Sequence, residues 1–519
     1  MTGAVATPDR AGNRSTALPV WRVSGAAVLA TMAAVALAPA AAVIPPSLLL
    51  AACVAGVLLV VAYVHPPAAA YILLVATPLT AGIERDAVVP LLRPHEALGL
   101  VLGAGVALRA LVQLLTTRRL PLRFGRLDLA IVLMALTSSV LPLLWMAARG
   151  LTPTLEDLLY AAAIWKFYGL FVLIRASVRT GDQVRRCLVL TLAASALVAV
   201  LAIGQAVQLA GVPDLVHRVF PVEGAVAPAV GRGTSTLASS IAVGDVMAYC
   251  VAICLGWALR GARHRWLLLA MAVLFAFGAL ASGQFSGVIA LAVAVCAVAV
   301  VTGHVRWLLL ASAPTAVVAA VALRPVLEAR LANLDIGTGL PQSWWVRLAN
   351  LRMFVWPDVF SGLNWLFGVR PAAVIEVAAP WGNYIYIESG HTWLLWTGGI
   401  PFLLAYLYFT WIAVRTTASL AVRRWDIVGV AAIASFASLL VNFVLMAFDP
   451  HLTMRGTGDL MFSLLALATA ALSQPPRAPS PRTRTWNSTG PTRGPGAGPG
   501  PAAAPGPAPS PAGARVPPG

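Results

Sequence analysis

Long apolar runs dominate the chain, and short polar links rich in arginine separate them. A helix needs about 20 apolar residues to cross the hydrocarbon core of a bilayer, where every backbone polar group must be paired within the segment. The pattern predicts such helices at roughly 23–44, 47–64, 68–83, 96–115, 128–147, 157–177, 188–210 and 235–259. Further ones follow at roughly 266–282, 285–303, 307–323, 391–414, 427–448 and 458–473. The expected fold is therefore all-α: a polytopic transmembrane bundle of about 14 helices. The first run passes through APAAA, which resembles a signal-peptide cleavage site, but a second apolar run begins at Ser47. A retained first helix is the expectation.

The polar positions set the orientation. With residues 1–22 in the cytoplasm, the cytoplasmic links receive Arg118, Arg119, Arg123 and Arg126, then Arg175, Arg179, Arg185 and Arg186. They also receive Arg260, Arg263 and Arg265, Arg306, and Arg415, Arg423 and Arg424. Basic residues concentrate in cytoplasmic links of membrane proteins, and the opposite orientation would destroy this bias. Segments 84–95, 211–234, 324–390 and 449–457 then lie on the outer face. Domain organisation follows: a cytoplasmic segment 1–22, a transmembrane domain 23–473 whose outer loop is 324–390, and a tail 474–519. The tail is rich in Pro, Ala and Gly, cannot bury a core, and is expected to be disordered in the cytoplasm.

Composition adds little beyond this. Hydrophobic residues make up 59% and charged residues 11%, with mean hydropathy +0.84, which excludes a soluble main body. The formal charge of +17 sits mostly in the links, where it orients helices; no nucleic-acid partner is implied. The cysteines Cys53, Cys187, Cys250, Cys254 and Cys296 lie in or beside apolar runs and read as packing residues. No outer segment carries metal-ligand spacing, and no glycine loop suited to phosphate follows a strand.

Arginines on the outer face break the positive-inside pattern and are the informative exception: Arg232, Arg347, Arg352, Arg370 and Arg455, with Arg85, Arg93 and Arg218 besides. Beside so many Trp and Tyr residues, they suggest an anion site, since guanidinium groups bind phosphate oxygens in pairs and stay charged. Inside the spans, Lys166 and Asp245 require a partner or a water-filled cavity. Asp245 is expected to face the bundle interior and orient an arginine or a helix.

Three stretches resemble the bacterial O-antigen ligase/polymerase superfamily of integral membrane glycosyltransferases. GRGTSTLASSIAVGDVMAYC is similar to the family's arginine-containing entry to a helix and points to Arg232. SWWVRLANLRMFVWPDVFSGLNWLFGVRP is similar to its arginine-to-glycine stretch, placing Arg347 and Gly368. ESGHTWLLWTGGIPFLLAYL resembles the loop-to-helix return. Aligned on Gly399, that return puts Glu388 where ligases carry their catalytic histidine, and His391 falls at a tyrosine position. The family's Ser-Arg-Gly before a helix is SGQFSG here, with Gln284 or Phe285 in place of arginine. Polymerases vary more than ligases at the histidine, so the likeness leans to polymerase.

The resemblance implies metal-independent transfer of an undecaprenyl-pyrophosphate-linked glycan to an acceptor hydroxyl at the outer surface of the cytoplasmic membrane. It implies no cofactor, and as partners the lipid bilayer and other membrane proteins of polysaccharide assembly. Glu388 and His391 are the candidate bases; three apart on a starting helix, they are expected to face the same side. Arg347 and Arg232 are the candidates for stabilising the leaving pyrophosphate, and Arg352, Arg370, Asp245 and Arg455 for holding the substrate. The rival classes are a flippase or exporter of a lipid-linked glycan and a transferase using a polyprenyl monophosphate sugar. The second places acids in its first outer loop, and Pro39–Pro46 has none.

Overall fold

The computed structural model describes residues 46–470, apart from 88, 119–123, 223–230, most of 307–341 and 378–383. The calls on 1–44, on the run 307–323 and on the tail therefore lie outside the described residues. The helices run as α1 Pro46–Val64, α2 Pro66–Thr80, α3 Pro94–Thr117, α4 Arg126–Ala148, α5 Leu155–Ala161, α6 Ala163–Ser177 and α7 Gly181–Ala206. They continue as α8 Val212–Val219, α9 Ser240–Leu259, α10 Arg265–Ala281, α11 Phe285–Thr302 and α12 Gln342–Asn350. The last three are α13 Gly390–Arg423, α14 Ile427–Leu445 and α15 Thr457–Thr469.

Among the described residues, 8 helical stretches are long and apolar enough to cross a membrane, counting Leu155–Ser177 as one, and α1, α2, α10 and α15 are shorter apolar helices. The chain is a multi-pass membrane protein. Several boundaries differ from expectation: the span placed at 188–210 runs Gly181–Ala206, and the one placed at 235–259 becomes α-helical only at Ser240. The span placed at 391–414 stays helical through Arg423, because nothing in 415–423 breaks a helix. Within it, Gly398 and Gly399 leave helical geometry and divide α13 in two.

α9 forms the axis. Apart from Asp245 it is apolar nearly all round, and 83% of its most apolar stretch is buried within the protein, against 17% for α3 at the edge. Helices in lipid associate through close packing instead of hydrophobic exclusion, so small residues mark their contacts. A methyl group on Gly244 of α9 would meet the Gly287 Cα of α11 at 3.0 Å, and one on Gly256 would meet Ile433 of α14 at 3.0 Å. Between α6, α13 and α15 the rings of Phe167, Phe462 and Phe409 stack with centroids 5.2 and 5.3 Å apart. Each such pair is worth about 0.5–1.5 kcal/mol beyond the area it buries.

One end of the bundle gathers the described residues of the links 81–93 (without 88), 231–239, 342–377 with 384–389, and 446–456. Gly82 N–H donates to the Thr236 carbonyl at 2.9 Å, and the Thr236 hydroxyl donates to the Pro78 carbonyl at 2.6 Å, covering a carbonyl left open where α2 ends. At the opposite end Arg260 donates to the Ala421 carbonyl and stacks on Trp425, and Arg175 pairs with Asp128 at 2.7 Å.

Candidate functional site

The link between α14 and α15 organises the loop-bearing end. It starts with a tight turn at Pro450, where His451 N–H donates to the Asp449 carbonyl at 2.7 Å. The turn sends Asp449 and His451 to different partners. His451 Nδ1 lies 2.7 Å from Asp245 Oδ2 of α9, and both side chains are sealed from solvent, at 0% and 1% exposure. Asp245 therefore faces the bundle interior, and its partner there is a histidine of the α14–α15 link, where the sequence suggests an arginine or a helix.

Asp449 turns toward α12. Trp344 and Arg347 are three apart on that helix and so share a face. The Trp344 ring meets Phe448 at 5.4 Å, which lays α12 along the turn and brings Arg347 Nη1 to 2.8 Å from Asp449 Oδ2. Glu388 completes the group: its Oε1 stands 3.6 Å from Arg347 Nε. It arrives there because α13 starts against the end of α14. His391 N–H donates to the Met446 carbonyl at 3.2 Å, and a methyl on Gly390 would come within 2.7 Å of that same carbonyl.

One expectation needs correcting. Glu388 and His391 do not share a helical face, because Ser389 takes the N-cap by accepting Thr392 N–H at 3.4 Å, so the helix begins after Glu388. Glu388 belongs to the Arg347 group. His391 lies in the first turn, and among the described residues no hydrogen bond joins its ring to that group.

Electrostatically, Arg347 answers two carboxylates. Burial pushes the Glu388 carboxyl above the usual carboxylate range; nearby Asp449 pushes it the same way, and the Arg347 charge pulls against both. A half-buried carboxyl of raised pKa beside an arginine is suited to take a proton and then leave the arginine's charge for another anion.

No protein-family model matches the chain, and no curated protein matches it. The residues carry the functional reading by themselves.

The other sequence candidates are dispersed. Arg370 is held by Asp157 of α5, with Nη2 to Oδ2 at 2.6 Å and Nε to Oδ1 at 2.9 Å, and that bond raises its pKa. Asp157 also accepts Ala372 N–H at 3.1 Å, so the pair pins the loop. From there β1 Val374–Glu376 pairs antiparallel with β2 Tyr384–Tyr386 and carries the chain back toward Glu388. Arg352 and Arg232 are exposed, and among the described residues no ion pair joins either to Glu388 or Asp449, the carboxylates that Arg347 meets. The residues after Arg232 are anchored instead: Gly233 N–H donates to the Ala281 carbonyl at 2.9 Å, and Gln205 Oε1 accepts from Thr234 and Ser235. Arg455 is half-buried at the far end of the α14–α15 link.

Lys166 has the partners that its depth demands, Glu96 Oε1 and Asp459 Oδ1, each at 3.3 Å. The reading of the sequence missed Asp449, His451, Glu96 and Asp459. The available signal was acids and a histidine in 449–459 beside Arg455, but one short link gives no spacing rule from which partners follow. Among the described residues no three His, Cys, Asp or Glu side chains are grouped to hold a metal ion.

Proposed function

We propose that the chain is a membrane glycosyltransferase of the O-antigen ligase/polymerase type, acting at the outer face of the cytoplasmic membrane on an undecaprenyl-pyrophosphate-linked glycan. The observation that carries this reading is the meeting of Arg347, from the arginine-to-glycine stretch, with Glu388, from the loop-to-helix return. Two segments that resemble the family separately supply one arginine–carboxylate group. In this reading the acceptor hydroxyl attacks the anomeric carbon as Glu388 takes its proton. The bond from that carbon to the phosphate oxygen breaks, and undecaprenyl pyrophosphate leaves with the electron pair. Protonation of Glu388 frees the Nε side of Arg347 for the leaving group, while Asp449 keeps Nη1 in place.

The expected pH dependence follows from Glu388. The base works only when ionised, and its pKa is raised, so activity falls with decreasing pH at a higher pH than an ordinary glutamate would give. The measurement is release of polyprenyl pyrophosphate from a lipid-linked glycan by purified enzyme between pH 4 and 9. Glu388→Gln should lose about 100-fold or more in rate and abolish that limb. A limb unchanged in Glu388→Gln but absent in His391→Gln would transfer the role to His391.

The proposed orientation has its own test. Ser361 and Arg263 are both exposed, one in the long loop and the other between α9 and α10. In a chain stripped of native cysteines, Ser361→Cys should react with an impermeant thiol reagent in intact cells, and Arg263→Cys only after lysis. The reverse would place the Arg347 group on the cytoplasmic side and remove the proposed substrate from reach.

A second reading, movement of a lipid-linked glycan across the membrane, draws support from the ion-paired Lys166–Glu96–Asp459 cluster within the spans. Translocation that depends on Lys166 in vesicles, with no sugar transfer, would favour it.

A further inference from the structure

Asp245 and His451 take no part in the proposed chemistry, yet among the described residues they are the most deeply sealed ionisable pair. Their side chains are 1% and 0% exposed, so neither can touch a substrate. A net charge sealed among membrane-spanning helices is costly, and the two together are expected to carry none. Well-packed apolar side chains of similar volume would join α9 to the α14–α15 link at no greater cost. What the 2.7 Å contact of His451 Nδ1 with Asp245 Oδ2 adds is direction: it fixes where the link passes.

The link carries that fix to Arg347 within two residues. Pro450 has φ −73, the value its ring imposes, and across it His451 N–H donates to the Asp449 carbonyl at 2.7 Å. Unless this turn opens, Asp449 moves only with His451. On its other side Asp449 N–H donates to the Leu445 carbonyl at the end of α14, at a longer 3.3 Å. Asp449 Oδ2 in turn holds Arg347 Nη1 at 2.8 Å, whereas Glu388 stands 3.6 Å from Nε. The close contact that aims the guanidinium therefore comes from the link. Trp344 sets α12 against the same link through Phe448. From α9 outward the contacts are continuous: Asp245, His451, the turn at Pro450, Asp449, Arg347.

We infer that Asp245 and His451 are positioning residues for Arg347, holding the Pro450 turn so that Asp449 aims the guanidinium. The effect on sugar transfer rests on the role proposed for Arg347; the effect on Arg347 itself does not. Without the pair the turn gains freedom, and the charge of Arg347 is no longer held where pyrophosphate departs. Misplacing such a group by about 1 Å can cost on the order of 100-fold in rate.

The test uses the full chain in detergent. Phenylglyoxal attacks a guanidinium that has left its carboxylates, and peptide mass spectrometry compares Arg347 with the exposed Arg352 of the same chain. Asp245→Leu combined with His451→Leu buries no charge and should fold. In it Arg347 should be modified about 5-fold or more faster than in wild type, because the open state of the turn is more populated. His451→Asn should stay within about 2-fold of wild type, since its amide nitrogen stands near the position of Nδ1 and still donates. In transfer assays the leucine pair should lower kcat about 10- to 100-fold with KM nearly unchanged, and His451→Asn should restore most of it. A folded leucine pair with wild-type Arg347 reactivity overturns the inference and leaves Asp245 and His451 as a staple between α9 and the link. If the leucine pair does not fold, Asp245→Asn with His451→Gln carries the same expectations: it too buries no charge, and it moves the amide away from Nδ1. Faster modification of Arg347 in a protein that transfers no sugar would keep the positioning role and remove the transferase.

Discussion

Replacing Arg347 with alanine is expected to lower glycan transfer about 100- to 1000-fold, equivalent to about 3–4 kcal/mol of transition-state stabilisation. Arg347→Lys should fail nearly as badly. Lysine keeps the charge, but the guanidinium fork reaches Asp449 from Nη1 while Nε faces Glu388, and one ammonium group does not reproduce that two-sided contact. The geometry adds a confounding effect. Asp449 is only 7% exposed on its side chain, so removing Arg347 strands a nearly buried carboxylate and lowers stability as well. Arg347→Ala combined with Asp449→Asn separates the two, because it removes the stranded charge. Abundance should recover and transfer should not. The readout is polymer length on a gel, with each variant at matched membrane abundance. Wild-type chain lengths from the double variant would end the catalytic assignment of this loop.

The largest structural effect is expected from Gly399→Ala. Gly399 has φ +63 and ψ −162, a region that residues with a side chain scarcely enter. Its added methyl would also stand 2.3 Å from the Leu366 carbonyl oxygen, which is backbone and does not swing aside. Strain of about 1–3 kcal/mol and overpacking of similar size together should sharply reduce the folded fraction. Gly362 is the control: its φ is +53, yet nothing lies within 4 Å of a built methyl, so Gly362→Ala carries the backbone strain alone. Fluorescence-detected size exclusion and apparent melting temperature should fall far more for Gly399→Ala than for Gly362→Ala. Equal losses would mean that the loop does not bear on the break in α13.

That break is where the glycines of the sequence likeness find a physical reason. Gly368 at φ +88 would place a methyl 2.6 Å from the Thr397 carbonyl, so the segment after 364 and the interrupted helix meet backbone to backbone. Val369 N–H donates to the Trp396 carbonyl at 2.6 Å, and the Trp396 indole returns a bond to the Ala372 carbonyl at 2.8 Å. The glycines therefore let the loop pack backbone to backbone against the break in α13.

The sequence by itself determined that the chain crosses a membrane many times, and roughly where, because about 20 apolar residues in a row leave a helix in lipid as the only economical state of the backbone. It also singled out Lys166 and Asp245, since charge within apolar runs is costly enough to be conspicuous, whereas Arg347 and Glu388 stood out through the family resemblance. Only the tertiary structure decided who meets whom. Arg347 and Asp449 are 102 residues apart and Asp245 and His451 are 206 apart, and no local periodicity links such positions. Their meetings depend on α12 lying against Phe448, on α13 starting against Met446, and on one tight turn dividing Asp449 from His451. Those are packing outcomes, set by side-chain shape between helices that the hydrophobic pattern can place but cannot pair.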